Sequence, residues 1–337
     1  MPQSLTGGWR AVSDLCQTAI GTAQPVTELL NFEGTDLMEP DPETFFENTT
    51  EITGSLLPTK HKLLNMKFSG KHKCKATPTV VALFASMAMG EDTATVVGAT
   101  TAYSHKLQMN SGIVELPYRT LVENDGSSQF AYPGVACTGF TLSGSRGQFV
   151  EFEADLMGRA SEGADATAKP AANPESYLAY GDCNFAMGGA YDGTAVTGAT
   201  AISAQLVNFK FAFKNNGKGK YNVGDSTGNV GAIRRGLTYS VELDAEIELE
   251  DRSQRAALLA GTEYVVHIPI VGGVANGAAN YTVDIVLPRA VFKDTKKGVA
   301  DGILKIAGKF AVLSDPTFGG CDIRVTNLFA HSYLATA

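Results

Sequence analysis

No apolar run in this 337-residue chain approaches the ~18 residues that a membrane-crossing helix needs, so membrane insertion is not expected. Met1 to Arg10 lacks a charged segment leading into an apolar one, so no secretion signal is expected, and folding in a cytoplasm is. The five cysteines, Cys16, Cys74, Cys137, Cys183 and Cys321, are odd in number, widely scattered and without a Cys-x-x-Cys pair. That pattern predicts reduced, buried thiols and no disulfide or zinc framework. Basic excess is also missing: 27 Lys and Arg against 35 Asp and Glu leave a net charge of -8, which argues against tight gripping of nucleic acid. Tryptophan occurs once, at Trp9, so a surface of aromatic platforms for sugar binding is poorly supplied.

Catalytic constellations are equally scarce. His72 and Cys74 share one face of a predicted strand with His61 near in sequence, but no orienting group or oxyanion site accompanies them. His105, His267 and His331 share no motif. The stretch from Lys214 to Gly236 mixes Gly with Lys yet lacks the Gly-x-x-x-x-Gly-Lys-Ser/Thr spacing and does not join a strand to a helix. The expectation is a protein that is no enzyme and has no cofactor or metal.

What is present is a chain with 44% hydrophobic and 18% charged residues and 36 glycines, the composition of a folded protein rich in strands and turns. Val241 to Glu250 alternates strictly. Glu242, Asp244, Glu246, Glu248 and Glu250 fall on one face and Val241, Leu243, Ala245, Ile247 and Leu249 on the other. Met66 to Lys75 has the same period with the opposite sign, Lys67, Lys71, Lys73 and Lys75 sharing the polar face with Ser69. A third strand, Val150 to Leu156, carries Glu151, Glu153 and Asp155.

The order of elements predicts two copies of one unit. Residues 1–45, with Pro25, Pro40 and Pro42, read as an extended N-terminal arm. Residues 46–160 form a first unit, in which Pro78 opens and Gly90 closes a helix over Thr79 to Met89. Strands are predicted at His105 to Met109 and Ile113 to Leu121, and the turn Asn124-Asp125-Gly126 marks a hairpin. Residues 161–178, almost without large apolar side chains, read as a linker. Residues 179–337 repeat the order: a strand at Val207 to Phe213, the acid-faced strand, a helix at Ser253 to Ala260, then strands at Tyr264 to Ile268, Tyr281 to Leu287, Gly302 to Val312 and Asp322 to Phe329.

With Phe130-Ala131-Tyr132-Pro133-Gly134-Val135 leading into the hairpin that ends Asp155-Leu156-Met157-Gly158, the chain resembles the tail tube proteins of long-tailed bacteriophages. The resemblance implies a mainly β (α+β) fold with two tandem β-sandwich or half-barrel domains, each with one short flanking helix and a long β-hairpin loop. It implies a virion structural protein, assembled in the host cytoplasm, that self-assembles into rings stacked into a tube for DNA ejection. Two units per chain imply a homotrimeric, pseudo-hexameric ring. Tail terminator, tail tip and tape measure proteins are the implied partners, and DNA passes without tight binding. Lys218, Lys220, Tyr221, Arg234 and Arg235 are inter-ring loop candidates.

The charged strands admit three readings. They are a solvated outer face, a channel wall that phosphates do not adhere to, or an interface at which lysine and acid faces of unlike units meet and fix their order. The alternative from another class is a β-sandwich carbohydrate-binding or adhesive module.

Overall fold

A computed structural model describes residues 8–33, 37–46, 61–159, 163–164, 167–202, 206–223, 227–248, 256, 260–300 and 303–336. The chain is mostly β, 59% strand and 6% helical. Its main layer is a run of antiparallel strands in the order Glu39–Phe46, His61–Lys75, Glu151–Arg159, Gln129–Ser145, Leu206–Lys214, Ser240–Glu248, Ile303–Val312 and Ala279–Ala300. Apart from bulges at Glu43/Thr44, Cys137/Gly139, Leu206/Asn208 and Phe292/Asp294, register keeps the odd-even alternation in phase across these strands. Phe68, Cys74, Phe152, Phe140, Phe211, Leu243 and Phe310 therefore share one face and are all buried.

Two strands are long enough to leave this layer. The first part of Gln129–Ser145 pairs with Arg119–Asn124, which continues through Trp9–Ser13 to Val26–Leu30. The first part of Ala279–Ala300 pairs with Glu263–Asn276 on one side and Asp322–Asn327 on the other. Asp322–Asn327 in turn pairs with Tyr103–Met109 and then Gly90–Val96.

One pairing order thus occurs twice. In the first half Glu39–Phe46 pairs with His61–Lys75, then Glu151–Arg159, Gln129–Ser145 and Arg119–Asn124. In the second, Leu206–Lys214 pairs with Ser240–Glu248, then Ile303–Val312, Ala279–Ala300 and Glu263–Asn276. The halves are sewn together by Asn208 to Lys214 lying beside Ser145 to Gly139.

The helix Pro78–Met89 carries no charged residue, and all twelve of its side chains are buried. Proline at its first turn and Gly90 at φ 87°, donating to the Ser86 carbonyl, set its ends as expected. Its N-cap, Thr77, makes no side-chain cap; instead Glu175 accepts from the Thr79 N–H at 2.9 Å and the Thr79 hydroxyl at 2.6 Å. A carboxylate supplied from a distant segment satisfies a helix-start donor and suits the positive end of the dipole.

Several expectations are corrected. The N-terminal segment is not a peripheral arm throughout, because Trp9–Ser13 is a fully buried central strand. The segment expected as a linker lies outside strands and helices and is exposed or half-buried over 167–177, but its end is anchored: Leu178 is 1% exposed and donates its N–H to the Ala76 carbonyl. Ile113 to Tyr118 is not strand, and the strand there is Arg119–Asn124. Leu249, Glu250 and nearly all of the expected helix at Ser253 to Ala260 lie outside the described residues.

Phe152, fully buried, has the rings of Phe84 and Phe140 each 6.0 Å away. Phe152→Ala is expected to cost about 3–5 kcal/mol of unfolding free energy, read as a lowered urea midpoint.

Candidate functional site

The other face of the main layer is mostly polar and carries charge columns of opposite sign on neighbouring strands, interrupted by Gln129–Ser145, which presents the uncharged Thr141 and Ser143 there. Lys71 forms an ion pair with Glu153 and lies 3.6 Å from Asp155. Lys75 reaches Glu151 at 2.9 Å, and Glu33 sits 3.3 Å from Lys73 and 3.4 Å from Lys75. On the outer side, Asp41 pairs with Lys67 at 3.1 Å. Glu151, Glu153 and Asp155, read from the sequence as an acidic face on a third strand, are thus the direct cross-strand partners of the lysines.

Pairing moves the titrations of these groups. The Glu153 hydrogen bond raises the Lys71 pKa, and the Lys75 hydrogen bond lowers that of Glu151.

The acid-faced strand is flanked in the same way. Asp244 stands in register with Lys210 and pairs with Lys309 at 3.5 Å. Glu246 accepts from the Asn208 amide at 2.7 Å, and Glu248 pairs with Arg146 at 2.9 Å. Glu242 lies between Ala212 and Ala311 and has no ion-pair partner among the described residues. Three strands separate the lysine and acid columns, about 19 Å at ~4.8 Å per strand, so within one chain they do not meet. Glu33, Asp41, Lys210, Lys309 and Arg146 complete the pattern and were not singled out by periodicity in one strand at a time.

The basic segment after Lys214 is no open loop. Lys218–Tyr221 and Val230–Arg234 form a hairpin whose Val230 and Ile233 are buried with Leu116, Tyr118 and Ala136, and Tyr221 packs against them. Asn229 takes the place beside Met66 that the strand Glu151–Arg159 vacates after its last pairing at Lys67. Arg235 donates to the carbonyls of Ile113 and Ser111 and lies over the Tyr239 ring. Lys218, Lys220 and Arg234 point into solvent.

Behind the lysine strand lies a buried ionic cluster. Arg10, fully buried, pairs with Glu123 and donates to the Lys71 carbonyl at 2.8 Å. His72 lies 3.4 Å from that guanidinium and 5.0 Å, ring to ring, from Phe84. Its Nε2 has no hydrogen-bond partner among the described residues. Burial first, and Arg10 second, hold the His72 pKa well below its ordinary value.

All five cysteines are free; burial pushes the Cys74 and Cys183 thiols up to about 12. Trp9 is 7% exposed, so it offers no sugar-stacking platform. Among the described residues no cluster of His, Cys, Asp and Glu is arranged to hold a metal ion, and no helix is long and apolar enough to cross a membrane.

A sequence model of the phage tail tube protein family matches residues 15–311. The chain belongs to the phage tail tube protein family. It is a structural component of the virion tail. No curated protein matches it. The family match of this tail tube protein spans both charged columns and the basic hairpin.

Two outcomes are expected of the tube protein in solution. Lys71→Glu with Lys73→Glu sets like charges opposite each other and should cost about 1–3 kcal/mol in urea unfolding. Adding Glu153→Lys and Asp155→Lys should restore most of that loss, whereas Glu246→Lys and Glu248→Lys, three strands away, should restore none. The second concerns His72. Because its folded pKa lies below the unfolded ~6.5, the unfolded chain binds more protons there, so stability is full above about pH 6.5 and falls as pH drops below it. His72→Phe should flatten the urea midpoint between about pH 6.5 and 5, the range in which wild type declines.

Proposed function

We propose that this tail tube protein self-assembles into rings that stack into the tube, with the charge-striped face lining the channel through which DNA leaves. One observation carries the reading: the main layer is covered on its apolar face, open on its polar face, and unpaired at both edges among the described residues. The free edges are Glu39–Phe46 and the last part of Ala279–Ala300. Open edges of such a layer are a hazard in isolation and are satisfied when copies join edge to edge into a closed wall. Pro40 and Pro42 lie in the first of these edges, a position where a missing N–H is tolerated.

Lysines in a channel wall would slow DNA if they stood alone. Here each described lysine of the column has a carboxylate beside it, which leaves phosphates little counterion release to gain. Glu242, without an ion-pair partner among the described residues, adds repulsion. The repeated pairing order supports two tandem units per chain and hence three chains per ring, with pseudo-sixfold symmetry. Tail terminator, tail tip and tape measure proteins are the partners that fit a tube of this kind.

Electron microscopy of the purified protein, with the native mass of the smallest ring, tests the reading. The expected ring contains three chains of 35.5 kDa; stable monomers that never form rings would refute self-assembly, and a six-chain ring would refute the trimer.

A further inference from the structure

Residues 328–336 belong to no strand or helix, yet one side chain bolts them to the fold. Tyr333 is 0% exposed, whereas Leu328, Ala330, His331 and Thr336 around it are exposed. Every polar group of Tyr333 is engaged. Its N–H donates to a carboxylate oxygen of Asp92 at 2.5 Å, and its hydroxyl accepts from the Asn327 amide at 2.8 Å. Its carbonyl accepts from the Arg119 guanidinium. The ring stacks on Phe329 at 4.2 Å and lies 4.7 Å from the ring of His105.

This bolt fastens the C-terminal segment to the N-terminal one. Arg119 is fully buried, has no ion-pair partner among the described residues, and donates to the backbone carbonyls of Ser13 and Tyr333. Beside it the Cys16 N–H donates to the Ala335 carbonyl at 2.8 Å, and Cys16 forms a parallel bridge with Thr336. Removing the Tyr333 carbonyl would leave a buried guanidinium short of an acceptor, which is costly in an interior.

The N-terminal segment has few other supports at this point. Pairing of Trp9–Ser13 with Arg119–Asn124 stops at Val12, and its pairing with Val26–Leu30 shifts register between Val12 and Ser13. Val26–Leu30 has Trp9–Ser13 as its single strand partner among the described residues. Thr27 and Glu28 of that edge strand line a cavity of about 310 Å³ together with Leu328 and Phe329 of the C-terminal segment.

We propose that residues 328–336 are a latch, bolted by Tyr333, that holds residues 13–30 in place, so that the two segments open and close as one unit without disturbing the main layer. Segments that bury few side chains supply the units that open below the limit of global unfolding. The latch lies beyond residue 311, where the family match ends, and does not depend on the tube reading.

Native-state hydrogen exchange of the full-length protein in increasing, sub-denaturing urea tests the latch. The amides of Tyr333, Cys16 and the strand Val26–Leu30 should share one opening curve and exchange about tenfold or more faster than those of Phe152 and Phe211 in the main layer. In the full chain, Tyr333→Ala should speed exchange at Cys16 and Val26–Leu30 by about tenfold or more and leave Phe152 and Phe211 within about twofold. Separate wild-type curves for Tyr333 and Val26–Leu30, or one curve shared with Phe152 and Phe211, would overturn the latch. So would a Tyr333→Ala variant that speeds every amide alike, or none. The wild-type comparison needs no substitution and decides alone where the variant does not fold.

Discussion

Period-two alternation kept in register across the main layer is the constraint on which the rest of the structure depends. A one-residue slip in any strand would send phenylalanines to the charged face and carboxylates into the core. The strip Phe68, Phe152, Phe140, Phe211, Leu243 and Phe310 fixes that register from one side. Lateral pairing of Lys with Asp and Glu reinforces it from the other. Each exposed pair contributes little alone. Their joint effect favours this order at the lysine column, where Asp41 lies on one side and Glu151, Glu153 and Asp155 on the other.

The two faces then divide the work. The apolar face recruits a wholly buried helix and the second set of strands, so stability is concentrated behind the layer. The polar face carries no covering element among the described residues and is free to be a wall. Neutralising lysine with acid inside the chain has a consequence for function. A face can be rich in charge, and so well hydrated, without presenting the isolated cationic stripe that phosphates would adhere to.

Much of this was legible in the sequence and part was not, for identifiable reasons. Strict alternation in Val241 to Glu248 and Met66 to Lys75, proline and glycine around Pro78–Met89, and the Asn124-Asp125-Gly126 turn are local signals, and each element formed where they stand. Which strand lies beside which is non-local. Lys71 and Glu153 are 82 residues apart, and no feature of either strand names the other. Opposite charge on two strands of like period does not make them partners, because each has neighbours of its own. Trp9–Ser13 carries no local strand signal, because a strand buried on both faces shows no alternation. Glu175 at the helix start was invisible because the segment bearing it has the composition of a linker.

The buried ionic cluster shows how the layers are locked to one another. Arg10 comes from a strand with no local pattern and places its charge in the interior, where an ion pair alone need not be stabilising. Its geometry is specific, however: it binds Glu123 in its own sheet and the Lys71 carbonyl in the main layer. Lys71 is therefore held twice, by its side chain on the polar face and by its backbone from behind. Sliding the N-terminal sheet by one residue would strand a buried guanidinium and release that carbonyl, a far larger cost than losing any surface pair. Surface charge thus selects which strands are neighbours, and buried charge selects how the sheets that back them are aligned.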